Sequence, residues 1–108
     1  VYQKAKQANT SIMHIFKTHS VDGYIKDQLQ RAALSIVLNI AEGSGHFLPG
    51  EKKNFYIIAH GSLYETVALL EIIHEEYSFN DEYKTLVSAL EEISKMLYAL
   101  IQYQKLKK

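Results

Sequence analysis

The sequence predicts an all-α fold, an antiparallel up-down-up-down four-helix bundle, on three observations. Apolar residues recur every three or four positions through four long segments, which is the pattern of amphipathic helices. No segment alternates apolar and polar residues, and no strand–helix–strand rhythm competes with the helical one. Nearly all glycine and proline residues fall at breaks between the segments, where they are typical of turns. The chain of 108 residues fits one four-helix-bundle domain spanning residues 1–108.

The first two helices are predicted over residues 2–18 and 23–42, with a turn at Asp22-Gly23 between them. Gly43 is placed to end the second helix as its C-cap, and Gly43-Ser44-Gly45 then begins a turn that runs to Pro49-Gly50. The expected core stripes are Ala5, Ala8, Ile12, Ile15 and Phe16 in the first helix, and Ile25, Leu29, Ala32, Ala33, Ile36, Val37 and Ile40 in the second.

The last two helices are predicted over residues 50–77 and 81–105. Pro49 suits the start of the third helix, because a missing N–H costs nothing there. Asn80 is the expected N-cap of the fourth helix, after a break at residues 78–81, and Asp81 and Glu82 favour its first turn. The expected stripes are Phe55, Ile58, Ala59, Ser62, Thr66, Leu69, Leu70 and Ile73 in the third helix, and Leu86, Leu90, Ile93, Leu97, Leu100 and Ile101 in the fourth.

Composition excludes several functional classes. The chain has no cysteine, which removes disulfides, thiol catalysis and cysteine-type zinc sites. No apolar run reaches the ~18–20 residues that a membrane-spanning helix needs, and the polar N-terminal segment lacks the pattern of a signal peptide. We therefore expect a cytoplasmic protein without a membrane partner.

The third predicted helix is apolar around more of its circumference than one stripe explains. A helix that is apolar on several sides is buried on several sides, either at the centre of the bundle or against another copy of the chain. The eight tyrosines favour the second explanation, because tyrosine is enriched in protein interfaces. The sequence therefore predicts a homo-oligomer. The additional apolar residues are Tyr56, Ile57, Leu63, Tyr64, Val67, Ala68 and Ile72.

Zero net charge conceals a segregation of charge between the two ends of the predicted bundle. The up-down-up-down order brings the start of the first helix, the loop of residues 43–49 and the end of the fourth helix to one basic end. Basic side chains at one end are suited to phosphate, which makes them the candidate nucleic-acid-binding residues. Helix-dipole complementarity is the alternative explanation, but it fails for the two lysines in the first turn of the third helix. The basic end comprises Lys4, Lys6, Lys52, Lys53, Lys105, Lys107 and Lys108.

Motifs for catalysis or metal binding are incomplete. Residues 71–74 (Glu-Ile-Ile-His) form one Glu-x-x-His motif, whereas a di-iron bundle site needs two such motifs and two further inward glutamates. Gly43-Ser44-Gly45 lacks the pattern of a phosphate loop and follows no strand, as a nucleophile elbow would. We therefore expect no metal, no cofactor and no enzymatic activity.

Polar residues line one face of the second helix, at spacings of four, four and three: Arg31, Ser35, Asn39 and Glu42. If the hairpin turns near residues 46–48, Arg31 lies opposite Glu65. Ser35 then lies opposite the small pair Gly61-Ser62, where two helices can approach closely. The preferred interpretation is a structural polar seam, including an Arg31–Glu65 pair, that fixes helix register more than it stabilises the fold. The alternative is a binding site that comprises Arg31, Asn39, Glu42, His60 and Glu65.

Three blocks of the sequence resemble one protein family. They are residues 31–45 (Arg-Ala-Ala-Leu-Ser-Ile-Val-Leu-Asn-Ile-Ala-Glu-Gly-Ser-Gly), residues 55–65 (Phe-Tyr-Ile-Ile-Ala-His-Gly-Ser-Leu-Tyr-Glu) and residues 90–101. They are similar to the signature of the 23S rRNA intervening-sequence protein family, the small bacterial "four helix bundle protein" group. The most specific part is Asn-Ile-Ala-Glu-Gly followed by Gly-Ser-x-x-Glu, and the resemblance covers nearly the whole chain.

The resemblance implies a non-enzymatic antiparallel bundle that assembles into a ring of five. The resemblance extends to the related accessory proteins of diversity-generating retroelements, which use a basic barrel to bind a reverse transcriptase and nucleic acid. Val37 stands where the family usually has proline, and His46-Phe47-Leu48-Pro49 stands where the family often continues with basic residues. The positions that match the signature, interpreted as framework, are Arg31, Ser35, Asn39, Glu42, Gly43, Gly61, Ser62 and Glu65.

The residues and the resemblance lead to one functional hypothesis. It is a non-enzymatic homo-oligomeric adaptor that binds RNA or a nucleoprotein through the basic end. The alternative is a protein-only interaction module that uses the apolar and tyrosine-rich faces of the third and fourth helices.

Overall fold

The computed structural model describes residues 1–78 and 80–107, and nearly all of these residues are helical. Helix α1 spans Tyr2–Thr18, α2 spans Gly23–Gly45, α3 spans Pro49–Tyr77 and α4 spans Asn80–Lys107. Contacts join α1 to α2, α2 to α3, α3 to α4 and α4 back to α1, whereas the diagonal pairs do not touch. This order confirms the predicted all-α, up-down-up-down four-helix bundle.

Local sequence signals account for most of the helix ends. The Asp22 carboxylate accepts a hydrogen bond from the Tyr24 N–H at 2.9 Å, which caps α2. Ser78 ends α3 in the left-handed region, with φ of 52°, and its N–H donates to the His74 carbonyl at 3.0 Å. Asn80 is already helical rather than the predicted N-cap, and Phe79 of the predicted break lies outside the described residues.

Apolar side chains from all four helices form one core. The predicted stripes of α1, α2 and α4 are confirmed, except that Phe16, Ile25 and Leu100 are only partly buried. Thr66 is a buried polar side chain, and its hydroxyl donates to the Ser62 carbonyl of the preceding turn at 2.8 Å. The largest completely enclosed apolar side chains are Ile12, Ile15, Leu29, Ile40, Leu63, Leu70, Ile73, Leu90, Ile93 and Leu97.

The buried face of α3 lies to one side of the predicted stripe. Ile58 was expected in the core but is 50% exposed, while Tyr56 and Leu63 are buried. The reason is that α3 packs against α2 on one side and α4 on the other, so its buried face points between these two neighbours. The result is a broad apolar surface on α3 that the bundle itself does not cover.

Helix α3 also meets the length and composition criterion for crossing a membrane, with an 18-residue window of mean hydropathy 1.2. The sequence analysis had excluded any such run. A core helix of a globular bundle meets the same criterion, and α3 packs against two neighbours here. The criterion therefore assigns no membrane role to α3.

Gly43 does not cap α2, which continues through Gly45 and ends at His46 in extended conformation. The segment Gly43-Ser44-Gly45 is thus the last turn of a helix, not the predicted start of a loop. Gly43 is instead required by close packing, because a Cβ atom there would lie 2.6 Å from Cε1 of Tyr56. The Tyr56 ring is buried, so it has little room to move away.

We expect Gly43→Ala to destabilise the fold by about 1–3 kcal/mol, because the added methyl group overpacks the α2–α3 contact. Gly45→Ala is the matched control, since a Cβ atom at Gly45 would meet nothing within 4 Å and alanine favours a helix. Urea unfolding followed by circular dichroism measures both variants. Equal stability of the two would contradict the role assigned to Gly43.

Candidate functional site

The polar seam between α2 and α3 is present around Ser35. The Ser35 and Ser62 hydroxyls are 2.7 Å apart across the two helices. The Asn39 amide donates to the Ser35 carbonyl at 2.8 Å and to the Ser35 hydroxyl at 3.1 Å. These half-buried groups satisfy one another, and the predicted closeness of Ser35 and Ser62 is present in the structure.

Two other parts of the predicted seam differ in the structure. Arg31 does not pair with Glu65: its Nε donates to Asp27, one turn earlier in the same helix, at 3.1 Å. Both Arg31 and Glu65 are exposed, and an intrahelical pair at four-residue spacing needs less ordering of long side chains. Gly61 does not lie in the helix contact either, because a Cβ atom there would meet nothing within 4 Å.

The alternative binding site among these residues is not assembled. His60 points to α4, where its Nε2 lies 2.9 Å from the Ser94 hydroxyl. Asn39 is engaged by Ser35 on the α2–α3 side, and Arg31 lies at the surface. The structure therefore distributes the polar groups over two different helix interfaces.

A double-mutant cycle on Ser35→Ala and Ser62→Ala tests the seam. We expect a coupling of about 1 kcal/mol in the free energy of unfolding, which is the net value of one partly buried hydrogen bond. Chemical denaturation of the two single variants, the double variant and the parent chain measures this coupling. Strictly additive effects would mean that the two hydroxyls do not interact.

The α2–α3 connection carries a group of charged and aromatic side chains. His46 Nδ1 lies 3.1 Å from the Glu51 carboxylate and its Nε2 lies 3.5 Å from Glu42. The His46 ring also packs on Phe55, with centroids 4.8 Å apart. These contacts give His46 a structural role at the position where the resembling family often has basic residues.

Lys52 caps the C-terminus of α2. Its ammonium donates to the Gly43 carbonyl at 3.2 Å and to the Ser44 carbonyl at 3.3 Å. Carbonyls in the last turn of a helix have no intrahelical donor and carry partial negative charge. Lys52, predicted to be one of the nucleic-acid-binding lysines, therefore uses its charge within the fold.

We expect Lys52→Ala to reduce stability by about 1 kcal/mol, because it removes this cap, and the loss should shrink in high salt. Lys53→Ala, one position further along α3, is the control and should leave stability unchanged. Thermal melts at low and high ionic strength measure the difference. An equal effect of the two substitutions would remove the distinction between a capping lysine and a free one.

The lysines at the start of α3 and the end of α4, apart from Lys52, define a candidate anion-binding surface. Lys53 and Lys105 line one cleft of about 310 Å³, together with Pro49, Gly50 and Gln104. Lys107 lies 5.0 Å from the centre of the Tyr103 ring, and side-chain hydrogen bonding to Tyr103 raises the pKa of Lys107. We call this surface, formed by Lys53, Lys105 and Lys107, the lysine-rich end; Lys108 lies outside the described residues.

Lys4 and Lys6 do not reach the lysine-rich end. Lys4 forms an ion pair with Glu92 at 3.0 Å, and Glu92 lies about 20 Å before Lys105 along α4. Lys6 sits over the Tyr2 ring, 5.3 Å from its centre, and is further from that end. The prediction placed them together because it assumed that the start of α1 lies level with the end of α4, whereas α1 has 17 residues and α4 has 28.

A cleft of about 670 Å³ runs along the contact between α1 and α4. Ala8, Ile15, Leu86 and Ala89 line its apolar part, and charged side chains such as Glu82 line its edges. The sequence analysis missed this cleft. The small side chains of Ala8 on α1 and Ala89 on α4, which both line the cleft, are the signal that could have indicated it.

No group of three or more metal-ligating side chains is found among residues 1–78 and 80–107. His74, from the single Glu-x-x-His motif, stacks on Tyr83 with ring centroids 4.1 Å apart. Burial raises the pKa of Tyr83, and the nearby carboxylates of Glu71 and Glu75 raise it further. The motif therefore contributes to the packing of α3 on α4.

The fold and these surfaces define a class of protein: a small antiparallel helical bundle with a lysine-rich end and a structural polar seam. The family model described as 23S rRNA-intervening sequence protein matches residues 1–99. The chain belongs to this family, as the resemblance in its sequence indicated.

A solved structure shares the fold. It is a protein with unknown function from the S23 ribosomal protein family of Bacteroides thetaiotaomicron, which is 24% identical and superimposes with a TM-score of 0.85. The match covers 93% of this chain and 96% of the other. A comparison with curated proteins finds no match.

Proposed function

We propose that this chain is a non-enzymatic, homo-oligomeric adaptor of the bacterial cytoplasm that binds RNA or a nucleoprotein through its lysine-rich end. The observation that carries the proposal is the pairing of Lys53 and Lys105 across one cleft at the N-terminus of α3. Two ammonium groups beside a helix N-terminus favour an anion with closely spaced charges, such as a phosphate backbone.

Acidic side chains at the opposite end of the bundle support a difference in charge between the two ends. Asp22, Asp81 and Glu82 are exposed there, so a polyanion is repelled from one end and attracted to the other. Several copies assembled side by side, as in the ring of five that the family resemblance implies, would join their lysine-rich ends into one basic face.

The alternative is an adaptor that contacts protein alone through exposed aromatic residues of α3 and α4. Tyr64 and Tyr98 are 62% and 61% exposed, which suits a protein interface. In that case the charge of the lysine-rich end has no effect on binding, so the experiment below distinguishes the two proposals.

The test compares two double charge reversals with the same net charge. Lys53→Glu with Lys105→Glu alters the lysine-rich end, and Lys17→Glu with Lys84→Glu alters the other end at equivalent helix positions. Lys52 is left intact because it caps α2. We expect the first pair to weaken binding of a labelled structured RNA at least about tenfold in low salt, by fluorescence anisotropy, and the second pair to leave it near the parent value.

The salt dependence of the parent chain provides a second readout, because binding through phosphate contacts falls steeply as salt rises. Circular dichroism verifies that both variants remain folded. Absence of binding in low salt, or an equal loss in the two variants, would overturn the RNA proposal.

A further inference from the structure

The connection between α2 and α3 presents one aromatic side chain to solvent. Phe47 is 94% exposed, the highest exposed fraction among the large apolar side chains that the structure describes. A single exposed apolar residue is ordinary on a protein surface. Phe47 differs from such a residue because the backbone on both sides of it is held in place.

Both neighbours of Phe47 are fixed by contacts. His46 is extended, with φ of −89° and ψ of 155°, and its Nδ1 lies 3.1 Å from the Glu51 carboxylate. On the other side, the Leu48 carbonyl accepts a hydrogen bond from the Lys52 N–H at 3.0 Å, and the proline that follows restricts Leu48 to extended backbone. The connection therefore holds the Phe47 ring away from the bundle, where it stays in contact with water.

This ring lies next to the cleft of the lysine-rich end. Pro49 lines that cleft together with Lys53 and Lys105. Two residues of chain join Phe47 to Pro49, so their Cα atoms are at most about 7 Å apart. A nucleotide whose phosphate lies between the two ammonium groups therefore has its base within reach of the Phe47 ring.

We propose that the lysine-rich end binds an unpaired segment of RNA, with a phosphate between Lys53 and Lys105 and a base stacked on Phe47. The inference rests on the proposed function and names its substrate class: a single strand, or a single-stranded loop of a structured RNA, rather than a duplex. Bases inside a duplex stack on one another, so a side chain gains access to a base face only in unpaired segments. A basic groove beside an aromatic ring is typical of proteins that bind single strands.

The same residues indicate that binding tolerates different base sequences. Stacking depends on the face of a base, which every base has, whereas sequence is read at the base edges by hydrogen bonds. Arginine is well suited to such bidentate hydrogen bonds, and the one arginine of the chain, Arg31, is paired with Asp27 on α2.

An apolar loop beside lysines also suits the surface of an anionic membrane, but the charges around this loop favour a strand. Glu42 before the loop and Glu51 after it are both exposed. A flat anionic surface meets these carboxylates together with the lysines, so repulsion offsets part of the attraction. A flexible strand follows the cleft between Lys53 and Lys105, which has no acidic side chain in its lining.

Fluorescence anisotropy in low salt tests the inference with a labelled RNA of about 12 nucleotides, a length within the range of single-strand-binding sites. The RNA is used alone and annealed to its complement. Phe47→Ala is compared with Tyr24→Ala, which removes a 74% exposed ring at the opposite end of α2. We expect Phe47→Ala to weaken binding of the single strand at least about fivefold, the lower limit for one stacked base, and Tyr24→Ala to leave it unchanged.

A tryptophan at the same position reports stacking directly. The chain has no tryptophan, so Phe47→Trp introduces a single indole that retains the aromatic face. We expect this variant to bind the single strand as tightly as the parent chain, and its emission to be quenched as the RNA is added. Tyr24→Trp is the matched control and should show no quenching.

The outcomes separate this inference from the proposed function. An unchanged affinity of Phe47→Ala, or a duplex that binds as tightly as the single strand, overturns the stacking on Phe47. The lysine-rich end remains the RNA surface in that case if the reversal of Lys53 and Lys105 still weakens binding. A parent chain that binds neither RNA overturns both. Loss of binding to phosphatidylserine vesicles in Phe47→Ala, with RNA binding unchanged, assigns the loop to a membrane and overturns the inference.

Discussion

The contact between α2 and α3 is the constraint on which the rest of the structure depends. Two contacts at different positions along the helix axes fix it: the Tyr56 ring packs against Gly43, and the Ser35 hydroxyl lies against the Ser62 hydroxyl. A shift of one helix along the other by a turn would break both contacts. The same register brings Lys52 beneath the last carbonyls of α2. The register of the two helices thereby determines which residues of α2 and α3 are in contact.

The structure separates lysines that look equivalent in the sequence. Lys52 neutralises a helix terminus and Lys4 is paired with a carboxylate, whereas Lys53 and Lys105 share a cleft with no acidic side chain in its lining. Placing two like charges beside one cleft costs electrostatic energy in the free protein. A bound anion removes that cost, which is the physical basis for proposing a phosphate-containing partner. The family assignment does not identify the binding surface; the charges of Lys53 and Lys105 are the reason for proposing the cleft between them as that surface.

Periodicity was sufficient to predict the fold class, the helix order and most of the core from sequence. The Ser35–Ser62 contact also followed, because small polar residues at matching heights indicate a close helix pair. The errors arose where the outcome depends on three-dimensional competition. Glu65 on α3 was the predicted partner of Arg31, but Arg31 pairs with Asp27 on its own helix. Gly43 resembled a helix stop, but the ring that it accommodates lies thirteen residues away in sequence, where spacing alone shows no link.

The unequal length of the helices has a consequence for access to the protein. Because Lys4 near the start of α1 pairs with Glu92 near the middle of α4, the last turns of α2 and α4 and the first turns of α3 extend beyond α1 as a three-helix tip, with one side open. The surface of this tip is therefore accessible from the open side as well as along the long axis of the bundle. An extended chain, such as a single nucleic-acid strand, could therefore bind on the open side at an internal segment, without offering one of its ends.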